Sequence, residues 1–236
     1  MKDLLNSFKW KKEYRNIYLI LLSAPILLTL YWYHGNIESF NTLFNYDGDP
    51  ELLDFYGSLW QFFIFFFLMF CLPVLFIKFA LKKKIIEFGL GLGDWRFGKK
   101  LIFVVIPLII VPLLFFASSM GDLQQEYPLS KAIIKKHNLI LIYELAYVVF
   151  YYIAWEFYFR GFLLFGLKDK FGATPAVLIQ TISSCLIHIG KPEGEIIGSI
   201  IVGVIFGYIA LRTRSIWYVF LMHACIGVLT DLFIIF

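Results

Sequence analysis

The stretch AWEFYFRGFLLFGL, residues 154–167, keeps one carboxylate and one guanidinium in an otherwise apolar run. Helical spacing puts Glu156 and Arg160 on one face, a turn apart, within pairing reach. If that helix lies in lipid, each charge is costly, and ionisable residues held at such depth mark functional sites. The reading of the fold therefore turns on what surrounds this helix.

The composition answers for lipid. Of 236 residues, 60% are hydrophobic and 20% aromatic, and only 16% are charged, against about 25% in soluble domains. The charges cluster in short segments between long apolar runs. Runs near 17–33, 57–80, 101–118, 139–167, 173–189, 196–211 and 216–236 are candidates to cross a hydrocarbon core of about 30 Å. This predicts an all-α polytopic membrane bundle of seven transmembrane helices, forming a single membrane domain over residues 1–236. The fifth and sixth runs are short, and the length of the second and fourth leaves room for an eighth element. The first run follows Lys2, Lys9, Lys11, Lys12 and Arg15. It exceeds the apolar region of a signal peptide and no small-x-small cleavage site follows, so it reads as a retained anchor. Cys71, Cys185 and Cys225 are odd in number and lie in apolar runs, which predicts free, buried thiols.

Charge asymmetry sets direction. The amino terminus is basic; the loop around 34–54 carries Glu38, Asp47, Asp49, Glu51 and Asp54 without Lys or Arg; the next loop carries Lys82, Lys83, Lys84, Arg96, Lys99 and Lys100. The amino terminus is therefore placed in the cytoplasm. Alternation puts Lys168, Lys170, Arg212 and Arg214 inside and Lys191 outside. Lys131, Lys135 and Lys136 fall outside, the one count against this topology. The net charge of +4 comes from these loops and speaks for membrane orientation, not nucleic-acid binding. The size and the Lys- and Phe-rich composition fit a bacterial inner membrane.

Two glycine patterns carry no chemistry. FGLGLGDWRFG at 88–98 follows a Lys-rich segment and no strand, so it reads as a loop entering the third span, not a phosphate cradle. Gly203 and Gly207 form a small-residue pair for close helix approach.

The carboxyl-terminal half carries the informative ionisable groups: Glu156 and Arg160 in the fourth run, His188 ending the fifth, His223 in the seventh. Either histidine alone reads as a packed core residue. Together, one carboxylate and two imidazoles on three helices point to a shared site. Glu195 begins the next run after HIGKPEGE, where Pro192 and two glycines can turn the chain back toward His188, and it is the candidate substitute carboxylate; a solvated loop is the competing reading. Glu156, His188 and His223 also make a zinc set with one open position. No HExxH spacing supports it, and Cys185 can share the His188 face whereas Cys225 points away. Metal and metal-free activation of water both stay open.

In three motifs the chain resembles the CAAX prenyl protease and bacteriocin-processing (CPBP, or Abi) family of intramembrane proteases. WEFYFRG at 155–161 is similar to its Glu-Glu-x-x-x-Arg element, SCLIH ending at His188 to its Phe-x-x-x-His motif, and HACIG from His223 to its His-x-x-x-Asn/Asp motif, preceded by the family-like RTRSIW at 212–217. The resemblance covers roughly 143–236. It implies a hydrolase in which His188, with Glu156 as its carboxylate, activates water, His223 stabilises the oxyanion and Arg160 holds Glu156 by an ion pair; a Glu156–Arg160 pair that fixes the helix without chemistry is the competing reading. Trp155 stands where the family has its first, water-activating glutamate, Ser184 where it has Phe, and Gly227 where it has Asn or Asp. Glu144 lies about 16 Å along the helix from Trp155 and cannot replace that glutamate; Asp231 is a weak substitute for the third-motif side chain. The expected function is an intramembrane endopeptidase acting on a membrane-associated, prenylated or signal-bearing peptide, with membrane lipid as its other partner. The alternative is a noncatalytic relative that binds a peptide or serves in immunity or scaffolding. A proton-linked transporter lacks the inverted repeat that would support it.

Overall fold

The computed structural model describes residues 11–236, so Lys2 and Lys9 of the basic cluster lie outside the described residues. Every described element is helical, as expected of apolar runs whose backbone groups must be satisfied within their own segment. In chain order these are α1 (Lys12–His34), a short α2 (Ile37–Phe44), α3 (Pro50–Leu81), α4 (Trp95–Ala117), the short loop helices α5 (Gly121–Glu126) and α6 (Ala132–Lys135), α7 (His137–Phe171), α8 (Ala173–Leu186), α9 (Glu193–Thr213) and α10 (Trp217–Ile235). Local signals set the ends. The Asn36, Asp49 and Asp94 side chains accept from the backbone N–H groups of Ser39, Glu51 and Phe97 at the starts of α2, α3 and α4, satisfying donors a helix leaves open. Lys82 and Arg214 close α3 and α9 with positive φ.

Six helices, α1, α3, α4, α7, α9 and α10, are long and apolar enough to cross a membrane, and α8 is a shorter apolar helix. At 14 residues it rises only about 21 Å. Contacts between loops nevertheless sort all seven into an alternating path. On one face the Lys170 ammonium lies 3.8 Å from the Tyr14 ring centroid, and Arg212 pairs with Asp94 at 2.8 Å. On the other, Lys135 pairs with Glu51 at 2.8 Å, Lys136 with Asp49, Lys191 with Glu126 at 2.6 Å, and the His137 ring lies 5.3 Å from that of Phe236. Because α8 runs from the Lys170 face to the Lys191 face, it bridges both. Lys135 and Lys136 are neutralised by the acidic 49–51 segment, and Lys131 donates to the Tyr127 carbonyl at 2.7 Å.

The centre of the bundle is α7, buried without a break from Ala154 to Phe165. A helix apolar on every side is the sequence form of that position. Phe62 of α3 stacks on Tyr147 at 4.7 Å, and Phe65 stacks on Trp155 at 5.7 Å. Wide turns of π geometry at Tyr147–Tyr152 and Phe157–Leu163 flank the short α-helical stretch Ile153–Glu156; such turns redirect side chains and recur at functional sites. The small residues of α9 act as packing surfaces. A Cβ on Gly203 would lie 2.9 Å from Thr181, and one on Gly207 3.0 Å from Val177 and Gln180 of α8, while Gln180 donates to the Gly203 carbonyl at 2.8 Å. The 88–98 glycines serve the same end: Gly93 has φ of +52° and packs against the Thr213 carbonyl, where any side chain would collide.

The path predicts sidedness. In a background with Cys71, Cys185 and Cys225 replaced, single cysteines at the exposed positions Glu38 and Asp122 react with an impermeant maleimide from the same side of sealed vesicles. Cysteines at Lys99 and Lys170 react from the opposite side. Labelling of positions 38 and 122 from different sides contradicts the alternating path.

Candidate functional site

Glu156 of α7 is fully buried and its Oε1 is shared by two partners. Arg160 Nη1 donates from one turn along the same helix at 3.3 Å, and His223 Nδ1 of α10 lies 2.6 Å away. A carboxylate accepts only, so the imidazole donates from Nδ1 and keeps Nε2 outside that bond. The Arg160 guanidinium, 2% exposed, also lies over the Phe206 ring of α9 at 5.8 Å. One carboxylate therefore ties α7 to α10 and neutralises a cation buried beside α9.

His188, just past α8, belongs to a different set. Its Nδ1 lies 2.9 Å from the Ser184 carbonyl, which requires Nδ1–H to donate and leaves the neutral ring with its lone pair on Nε2. Nε2 faces Glu195 Oε1 at 3.9 Å. His188 makes no hydrogen bond or ion pair with Glu156 among the described residues. This corrects the expected pairing of Glu156 with His188: Glu156 is engaged by Arg160 and His223, and the carboxylate opposite His188 is Glu195, in the first turn of α9. Glu195 is no solvated loop residue. Its Oε1 accepts from the Tyr127 hydroxyl at 2.7 Å, and Lys191 lies 3.8 Å from it. Burial, and after it the Glu195 charge, push the Tyr127 phenol well above its ordinary range, so the hydroxyl stays a donor.

The two sets meet at Trp155. Its ring lies edge-on to His188 at 5.2 Å and to His223 at 5.7 Å, so both imidazoles border one indole. Both keep an opening, with side-chain exposure of 14% for His188 and 18% for His223, against none for Glu156. Two of the three departures from the family motifs, Trp155 and Gly227, occupy this same region. The indole stands at the first-glutamate position. A Cβ at Gly227 would run into the Tyr152 hydroxyl and ring, and Tyr152 packs on His223 at 4.7 Å. Tyr152 thus occupies the space an Asn or Asp at 227 would need. Asp231 is fully buried beside Glu144 of α7 and does not join the histidines.

Among the described residues, no three His, Cys, Asp or Glu side chains form a group that could hold a metal ion. The zinc set of Glu156, His188 and His223 does not fit, because Glu156 turns to Arg160 while His188 faces Glu195. All three cysteines are free, as expected, but half-buried and not fully enclosed.

Residues 137–229 match the family model described as Type II CAAX prenyl endopeptidase Rce1-like. This segment is Rce1-like. It holds α7, α8, α9 and most of α10, and so Glu156, Arg160, His188, Glu195 and His223; Glu126 and Tyr127 lie outside it. No curated protein and no solved structure gives a match. The chain is a multi-pass membrane protein whose residues 137–229 are similar to the Rce1-like family.

Sequence reasoning missed Tyr127 and Lys191 as parts of the site. Tyr127 is 68 residues from Glu195 and no motif marks it. The buried pair yields a prediction. Arg160→Met leaves Glu156 with His223 alone and lowers the thermal midpoint in detergent, by a destabilisation of about 3–5 kcal/mol. An unchanged midpoint would mean that the pair holds nothing together.

Proposed function

We propose that the chain is an intramembrane endopeptidase of the CAAX type in which the carboxylate partner of the water-activating histidine is Glu195. The observation that carries this reading is the 3.9 Å approach of Glu195 Oε1 to His188 Nε2. Two acceptors facing each other at this distance call for a proton or a water between them. With Nδ1 tied to Ser184, His188 Nε2 takes a proton from water as the oxygen attacks the peptide carbonyl carbon, and Glu195 balances the imidazolium that forms. The carbonyl π electrons move onto oxygen, where His223 Nε2–H donates when that ring is protonated. On collapse of the tetrahedral intermediate the C–N bond breaks, and the proton on His188 passes to the leaving amine. Glu156 and Arg160 are positioning residues, fixing His223 through Nδ1.

The substrate class is a membrane-associated, prenylated or signal-bearing peptide, in keeping with the Rce1-like segment. The site lies toward the face carrying Lys191 and Glu126, and the basic face that carries Lys170 and Arg212 is assigned to the cytoplasm of a bacterial inner membrane. A single membrane domain built around residues 143–236 is the simplest organisation. One observation favours the second reading, a noncatalytic peptide-binding relative: Trp155 fills the space between the imidazoles with an indole that can neither take up nor release a proton in hydrolysis.

The test is cleavage of a panel of prenylated and signal-bearing peptides by the full chain in lipid vesicles. His188→Ala and Glu195→Gln each reduce kcat/KM by 100-fold or more, on the order of a lost general base, while expression and thermal midpoint stay near those of the parent. Absence of cleavage by the parent across the panel, with saturable peptide binding, favours the binding protein.

A further inference from the structure

The carboxylate assigned to catalysis is held by a residue outside the Rce1-like segment. Glu195 Oε1 accepts from the Tyr127 hydroxyl at 2.7 Å, and the Lys191 ammonium lies 3.0 Å from the same phenol oxygen. The direction of this chain is fixed by chemistry. An ammonium can only donate and a carboxylate can only accept, so Lys191 donates to the phenol and the phenol passes its own hydrogen to Glu195. Such relays polarise each member. Lys191 is itself anchored by Glu126 at 2.6 Å and lies over the Tyr127 ring at 4.6 Å. The segment joining α4 to α7 is thereby tied to the turn between α8 and α9, directly over His188.

We propose that Tyr127 is a positioning residue that holds Glu195 against His188, so that the α4–α7 connection completes a site otherwise built within residues 137–229. The inference rests on the reading of Glu195 as the partner of His188. The hydroxyl supplies one oriented hydrogen bond to the ionised carboxylate and directs Oε1 toward the imidazole; Glu195 Oε2 is buried and has no hydrogen-bond partner. The ionisable groups around Glu195 are His188, Lys191, Tyr127 and Glu126, with His223, Tyr151 and Tyr152 deeper. Of these only Tyr127 donates a hydrogen bond to it.

Tyr127→Phe removes the hydroxyl and keeps the ring beneath Lys191, so the fold is conserved. In peptide cleavage by the full chain in lipid, the expected result is a fall in kcat of about tenfold with KM unchanged. The acid limb of the pH–rate profile moves up by about 0.5–1 unit, because a carboxylate that loses a donor is protonated more readily. A purely structural role lowers the amount of folded protein without moving the limb. Glu195→Gln separates the two claims. If it is inactive while Tyr127→Phe keeps the parent kcat and pH profile, the positioning role is overturned and the Glu195 reading stands. If Glu195→Gln cleaves like the parent, both fall. A readout independent of turnover is the infrared carboxylate band of Glu195, assigned by its loss in Glu195→Gln. The inference requires this band to shift in Tyr127→Phe, and an unshifted band overturns it.

Discussion

The bundle depends on one carboxylate in the wrong solvent. Glu156 has no exposure, and its single bonded oxygen serves both a guanidinium and an imidazole. In a low-dielectric interior each partner alone would be an uncompensated cost, and removal of any one leaves the others stranded. The arrangement fixes how α7 stands against α10, and with it the direction in which His223 presents its second nitrogen. The geometry of the candidate site is thus inherited from a charge-burial problem.

Around that pair, the site divides into two halves that meet at Trp155. One half is locked: Glu156, Arg160 and His223, with Tyr152 filling the space beside Gly227. The other is His188 and Glu195, where a loop from before the matched segment reaches in through Tyr127; His223 and His188 are both part-exposed. An indole between two imidazoles replaces an acceptor with an apolar wall. In the proposed mechanism a proton that leaves a water here goes to His188, with the charge balanced by Glu195 and not from α7. The same motif spacing thus supports a different division of labour among its residues.

Much of this was legible in the residues. The long apolar runs and their charged punctuation gave the helices, and the contacts between loops agree with the alternation read from basic and acidic clusters. Glu156 with Arg160 was readable from a four-residue spacing, and Gly203 with Gly207 as a packing surface from their small size. The partner of His188 was only half readable. Sequence order made Glu156 its natural carboxylate, since both belong to family-like motifs, whereas the fold turns Glu156 toward α10 and brings Glu195 in from the following helix. Which of two carboxylates meets an imidazole depends on helix rotation, and π turns in α7 alter that rotation in a way no periodicity announces. Tyr127 was invisible for a simpler reason: it acts from a loop, and loop proximity leaves no periodic trace.

The account stands on His188 and Glu195 acting as a single unit. A double-mutant cycle on kcat in lipid vesicles tests this most directly, because residues that share one function lose it once. The account predicts that His188→Ala combined with Glu195→Gln is no slower than the slower of the two single variants. Losses that multiply, as expected of two residues acting independently, would contradict it.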